Sequence, residues 1–250
     1  ADSSTNSNTA TLTNGAAWTF GKYSLEVDGM DTYVDLGTTY NSMLQDSFSV
    51  SMWVKLSDGQ PASNAFLFGS NDGADNQVTV SINASTYNLD FSYKDGTTLS
   101  KAVTDSVPFS DGAQDWAHLV FVVDDSGGQM HIYMDGAALT LESSGGDGVL
   151  WGTMSNFSTS QNMWLARECD SNDMGQSGHI DEVSFWTKAL DSSEVTSLYN
   201  SGQPTDLTGE TDLEGWWRFE EGTGSTVADS STNSNDGTLE GSPTWSNDTP

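Results

Sequence analysis

Between Gly178 and Asn200 the hydrophobic positions change period. Ile180, Val183 and Phe185 are separated by polar residues at close to period two, the spacing of a half-buried strand. Leu190, Val195, Leu198 and Tyr199 then fall at spacings of three, four and five, which predicts one short amphipathic helix near 190–200. Asp191 or Ser192 can accept from the free amides at its start, and Glu194 places negative charge in the first turn. Asn200, Ser201 and Gly202 end it.

Elsewhere the pattern is strand and turn. Phe48, Val50, Met52, Val54 and Leu56 share one face of a strand over 48–56. Shorter runs over 23–27, 33–36, 65–68, 77–82, 89–93, 116–123, 130–134, 163–166 and 213–221 are bounded by turn residues, and 140–160 reads as a long Gly/Ser-rich loop. About a dozen strands and one helix point to an all-β fold, an antiparallel sandwich of two sheets.

One repeat interrupts the pattern. Residues 1–8 recur identically as 228–235, and each copy runs on to a tryptophan, Trp18 and Trp245. The second copy follows the apolar segment 213–221; the first has no such segment before it. Trp216, Trp217 and Phe219 are too apolar for a free tail, so 213–221 is expected inside the sandwich. Trp217 and Phe219 should face its core, with Arg218 and Glu220 turned away. The expected division is a sandwich over 1–227 that includes this strand, then a partial repeat or tail over 228–250. Completion within one chain and donation to a neighbouring chain both remain open, the second giving self-association through terminal strands.

Charge narrows the partners. The 36 acidic and 7 basic residues give a net charge of -29, which repels a phosphate backbone and excludes nucleic acid. No stretch approaches the ~20 apolar residues that would span a bilayer, so no membrane insertion is expected. No charged-then-apolar leader opens the chain, so any secretion signal is expected to have been removed or left out. A single Cys excludes an internal disulfide. Most carboxylates read as a solvated surface; a minority could hold a hard cation such as calcium.

Val27-Asp28-Gly29, Tyr33-Val34-Asp35-Leu36-Gly37, the 48–54 strand, Trp116-Ala117-His118, Ile132–Gly136 and Gly178–Val183 with Ala189, Leu190 and Glu194 resemble the concanavalin A-like, laminin-G-like jelly roll over about 17–221. The resemblance implies two curved antiparallel sheets in a binding domain that is extracellular or on a cell or virion surface. Two loops resemble those of the pentraxins. Asp75-Asn76 stands directly before the strand at Gln77, and Glu168-Cys169-Asp170-Ser171 follows one strand and precedes Gly178. The resemblance implies that Asp75, Asn76, Glu168, Asp170 and the carbonyl of Cys169 bind calcium. Asp173 and Gln176 have the spacing that completes a second ion. The family's paired cysteines are absent, with Leu119 where one would follow His118, so a pentameric ring is not implied.

Catalytic patterns are sparse. His118, His131 and His179 lack zinc-ligand spacing, and no Gly-x-Ser-x-Gly elbow or Walker loop occurs. Glu220 and Glu221 are adjacent and would point to opposite faces, a poor acid/base pair. Asp181 and Glu182 could hold a structural cation, or Asp181 could accept backbone or Trp hydrogen bonds. The expected function is therefore calcium-dependent, non-catalytic binding of glycans or phosphorylated head groups. The alternatives are a structural or adhesive module of a virion, cell surface or filament, and, third, a glycoside hydrolase.

Overall fold

The computed structural model describes residues 21–37, 39–96, 98–152, 154–168 and 175–250. The N-terminal copy of the repeat, with Trp18, and the candidates Cys169, Asp170 and Asp173 lie outside them. In chain order the strands begin β1 (Ser24–Asp28), β2 (Tyr33–Asp35), β3 (Phe48–Leu56), β4 (Ala65–Asn71), β5 (Asn76–Ile82), β6 (Leu89–Asp95) and β7 (Thr98–Val103). They continue as β8 (Ala117–Asp124), β9 (Gln129–Met134), β10 (Ala137–Ala138), β11 (Trp164–Leu165) and β12 (Ser177–Trp186). After the helix α1 (Ser192–Tyr199) come β13 (Leu213–Trp217), β14 (Thr226–Val227), β15 (Gly237–Glu240) and β16 (Thr244–Ser246).

These strands form the expected all-β jelly-roll sandwich of two antiparallel sheets with one short helix. The first sheet runs β10-β9-β8-β3-β12-β1-β16, with β13 also paired to β12; the second runs β14-β15-β2-β11-β4-β5-β6-β7. Phe48, Val50, Met52, Val54 and Leu56 of β3 all enter the core between the sheets. There Phe68 meets Phe121, and Phe185 meets Trp217, edge to face at 5.7 and 5.2 Å.

The step from Ile180 to Val183 in the hydrophobic pattern is a β-bulge. Pairing with β3 shifts between Asp181 and Ser184, and Glu182 takes a left-handed φ of 45°. The extra residue lets Ile180, Val183 and Phe185 all face the core. The helix starts on a capping box: Asp191 accepts from the amides of Ser193 and Glu194, and Glu194 accepts from the amide of Asp191. It lies over the outer side of the first sheet. Val195, Leu198, Leu207 and Trp216 form a second apolar cluster there with Val120, Val122 and Trp186.

The C-terminal segment departs from expectation in extent. β13 joins the first sheet, but it stops at Trp217 rather than running to 221, because Phe219 takes a left-handed φ of 56°. Trp217 and Phe219 still reach the central core, while Trp216 packs into the outer cluster. The boundary expected at 227 has no counterpart in the sheets. β15 pairs with β2 and β16 with β1, so 228–250 contributes a strand to each sheet. The 140–160 loop is also tied down, by bridges from Leu141, Asp147 and Val149 to Thr104, Ala102 and Gln129.

Candidate functional site

The outer face of the second sheet carries an aromatic cluster. Trp164 lies opposite both Asp35 and Gly69, while its neighbours Met163 and Leu165 are buried in the core. Its ring packs on Tyr33 with centroids 4.2 Å apart. The Arg167 guanidinium sits over both rings, at 5.6 Å from Tyr33 and 5.8 Å from Trp164. Trp164 Nε1 and Arg167 Nε are buried and have no acceptor among the described residues. Beside them Asp35 accepts from the Gly37 amide and from Asn162 Nδ2, each at 2.8 Å. Neighbouring positions on this face carry Thr79, Ser92 and Lys101, in register across β5, β6 and β7. Sequence reasoning did not single out Tyr33, Trp164 and Arg167, which are distant in the chain. The readable signal was a Trp at the solvent-facing parity of a strand.

The turn between β4 and β5 is organised by Asp72, which sequence reasoning also missed. Its Oδ1 accepts from the amides of Ala74, Asp75 and Asn76 at 2.9–3.0 Å, and its Oδ2 from Asn76 Nδ2 at 2.8 Å. Partial burial pushes this carboxyl up, but those hydrogen bonds outweigh it and hold it at about 2. Asn76 uses its remaining side-chain oxygen to accept from the Ser158 amide at 3.0 Å. Asp75 is exposed at the tip. Glu168 is buried, accepts from Asn71 Nδ2 and passes over Gly69, where a Cβ would lie 3.2 Å from its Cγ. The structure therefore brings Glu168 to the start of the 71–76 turn.

Gln176 lies elsewhere. Its amide donates to the Phe66 carbonyl at 3.0 Å, about 10 Å back along β4 from Gly69. Its side chain is fully buried, and neither Oε1 nor Nε2 has a partner. It borders a cavity of about 190 Å³ walled by Leu56, Pro61 and Ala65, with Asp28 and Asp58 at its edge. Asp28 accepts from Met30 and Thr32, which, against partial burial, hold its carboxyl at about 2. Among the described residues no group of three or more His, Cys, Asp or Glu side chains is placed to hold a metal ion.

The remaining polar cluster is sealed. Asp181 accepts only from the Glu182 amide, at 2.9 Å; burial and the neighbouring Glu182 charge raise its carboxyl well above the usual range. Glu182 accepts from Trp216 Nε1 at 2.7 Å and pairs with Arg218 at 3.4 Å. Burial still pushes it up to about 7, with Arg218 and Trp216 opposing. Ser51 Oγ lies 2.8 Å from His118 Nε2, the spacing of a nucleophile and its base. Both residues are buried, however, and Tyr199 of α1 stacks over His118. Burial pushes His118 down to about 3. No substrate can reach this pair with α1 in place.

A family model described as the concanavalin A-like lectin/glucanases superfamily matches residues 28–196. No curated protein matches the sequence. Among solved structures, a Bacteroides ovatus ATCC 8483 protein proposed to bind carbohydrate is similar, with a TM-score of 0.60 at 16% identity. The match covers 90% of this chain and 59% of that one, so this chain spans about three-fifths of that protein's length. The heptameric SAP-like pentraxin of Limulus polyphemus matches at TM-score 0.51 and 14% identity, over 75% of this chain and 87% of that one. The CBM40 of Ruminococcus gnavus IT-sialidase, bound to α2,3-sialyllactose, matches at TM-score 0.52 and 10% identity, over 70% and 95%. At these identities the likeness is one of fold.

Proposed function

The chain belongs to the concanavalin A-like lectin/glucanases superfamily, and on that premise we propose that it is a non-catalytic glycan-binding domain using the outer face of its second sheet. The observation that carries this reading is the Tyr33–Trp164 pair capped by Arg167. Aromatic faces take the C–H faces of sugar rings, and a guanidinium's terminal N–H groups take their hydroxyl or carboxylate oxygens. Lys55, Lys101, Lys188 and Arg218 each pair with a carboxylate, whereas Arg167 has no ion pair among the described residues. In this reading its guanidinium is the cation that meets a ligand's oxygens in a chain of net charge -29. A carbohydrate-binding module and a pentraxin among the similar folds accord with this reading.

Calcium is part of the proposal. The donors that would hold it are hard oxygens: the Glu168 carboxylate, Asp75, and Asp170, Asp173 and the Cys169 carbonyl from the adjoining loop. The Gln176 amide oxygen, buried without a partner, suits a cation or a water more than an empty wall. Asn76 would take part through its Oδ1, which now accepts from the Ser158 amide. The bound ion would supply positive charge for the ligand's oxygens. In this reading the protein acts outside the cell or on a cell or virion surface, and a phosphorylated head group is the other ligand the same chemistry would take.

The test is a glycan array followed by calorimetric titration, with calcium and with chelator, on the wild type and Trp164→Ala. Retention in calcium that is lost in both chelator and Trp164→Ala is expected. A variant that binds as the wild type does would sink the assignment of the site. Binding indifferent to chelator would sink the calcium component alone.

A further inference from the structure

Residues 228–246 enter the fold as a plug in a defined slot. The Asp229 carboxylate accepts from the Trp216 amide at 2.8 Å, and from Ser231 and the Asn235 amide. Asn233 and Asn235 donate to the Glu214 carbonyl, and Trp217 Nε1 donates to the Asn235 carbonyl at 2.9 Å. The chain then adds a strand to each sheet, with Leu239 opposite Val34 and Trp245 opposite Leu25.

The opening residues repeat the sequence of this plug in one register without a gap. Asp2, Ser4, Asn6, Asn8, Leu12 and Trp18 stand where Asp229, Ser231, Asn233, Asn235, Leu239 and Trp245 stand in the second copy. The side chains that bind the slot are thus duplicated. We propose that residues 1–18 are a second occupant of this slot, competing with 228–245 of the same chain.

Two effects oppose each other in that competition. Placing Trp18 opposite Leu25 would leave residues 20–23 as a four-residue hairpin turn, a favoured length that closes a very short loop. Against it, Ala10 replaces Gly237, where a Cβ would lie 2.8 Å from Val34 Cγ1 and 2.9 Å from Leu36 Cδ2. The C-terminal copy packs better and the N-terminal copy closes more readily. Exchange would release 228–250 with its edge free for another chain.

Thermal unfolding of the full chain tests this through non-additivity. With either copy able to fill the slot, Leu239→Asp alone should lower Tm by under about 5 °C, and the double variant Leu12→Asp/Leu239→Asp by more than about 10 °C. If Leu12→Asp is silent in the Leu239→Asp background, or Leu239→Asp alone fails to fold, the slot has no second occupant and the proposal is overturned. A cross-link identifies the occupant directly. In a Cys169→Ser background, Thr11→Cys/Asp35→Cys reproduces the pairing that Thr238 makes with Asp35. An intrachain disulfide is the expected product. No cross-link, or cross-linked dimers only, would overturn competition within one chain, the dimers assigning the segment to a second copy.

Discussion

The two sheets of this sandwich treat their outer faces in opposite ways. The first sheet is buried on both sides at its centre, where β8, β12 and β13 run beneath α1, while its edge strand β10 is exposed. Its outer face carries Val120, Val122, Trp186 and Trp216 under α1 and the segment that follows it. Even its polar positions are committed: Ser49 donates to the Lys188 carbonyl and accepts from the Leu190 amide, holding the covering chain in place. Among the described residues no α-helix lies over the second sheet. Its outer face presents Tyr33, Trp164 and Arg167 beside small polar residues. The difference separates two uses of aromatic side chains. Trp216 closes a core and ties down a buried carboxylate; Trp164 packs half-buried on Tyr33 under Arg167, its own buried Nε1 without an acceptor among the described residues. Burial of polar groups on the first sheet is thus a matter of stability, and the half-buried aromatic pair on the second is where the proposed binding would act.

The largest effect should come from the closed side. Trp216→Ala removes a buried ring and strips Glu182 of its indole donor, and is expected to cost about 3–5 kcal/mol in urea unfolding. Glycan affinity of the folded fraction should be unchanged. A cost under about 1 kcal/mol would show that the outer cluster is not a core.

The same cluster sets a pH dependence. Glu182, pushed up to about 7, and Asp181, raised well above its usual range, are protonated more readily folded than unfolded. Their contribution is full below their unfolded values and is lost as pH rises toward 7. Asp28 and Asp72, held at about 2, act in the opposite sense: their contribution is present above their unfolded values and lost as pH falls toward 2. Stability should therefore peak near about pH 4–5 and decline toward 7, and Glu182→Gln should flatten that decline. A wild-type Tm that rises from pH 5 to 7.5 would contradict the account.

What could be read beforehand follows the same division. The core face of β3 and the helix near 190–200 were legible because each leaves a period in the hydrophobic pattern, whereas the bulge in β12 was read as plain alternation. β7 was not, because its pattern points the wrong way: Leu99 is 44% exposed while Ser100 is 1% exposed. Pairing with β6 sets that register, placing Ser100 opposite Tyr93 and Ala102 opposite Phe91. β14, β15 and β16 are two to four residues long, too short to show alternation. At the site, Asp75-Asn76 was marked by its likeness to a known loop, whereas Asp72, which holds that turn together, has no signature of its own. The Tyr33–Trp164–Arg167 cluster depends on three-dimensional neighbours, which periodicity does not report.

On the open side the expected effects are on affinity. Trp164→Ala and Arg167→Ala should each weaken glycan binding at least tenfold, about 1.4 kcal/mol, with Tm within about 2 °C of the wild type. Titration calorimetry beside a thermal scan checks both. A large fall in Tm for Trp164→Ala would mean that this ring belongs to the core after all, and the contrast between the faces would fail.

The smallest effect tests the cover itself. Asp191 Oδ1 accepts from the Ser193 and Glu194 amides at 2.8 and 2.9 Å, and Glu194 Oε2 accepts from the Asp191 amide at 2.9 Å. Glu194 Oε1 also holds Lys188 Nζ at 2.7 Å, in the stretch that joins β12 to the helix. Asp191→Ala frees two amide donors at the start of an eight-residue helix, a loss of about 1 kcal/mol. Asp191→Asn keeps an acceptor and should lose less. Because Val195 and Leu198 anchor α1 to the outer cluster, the helix should fray from its N-terminus rather than detach. Amide hydrogen exchange should therefore quicken at 193–195, with β3 and β8 beneath remaining protected. Glycan affinity on the opposite sheet should not move. If exchange quickens equally across β3 and β8, the cover and the sandwich open as one unit, and the closed face is not a separable layer.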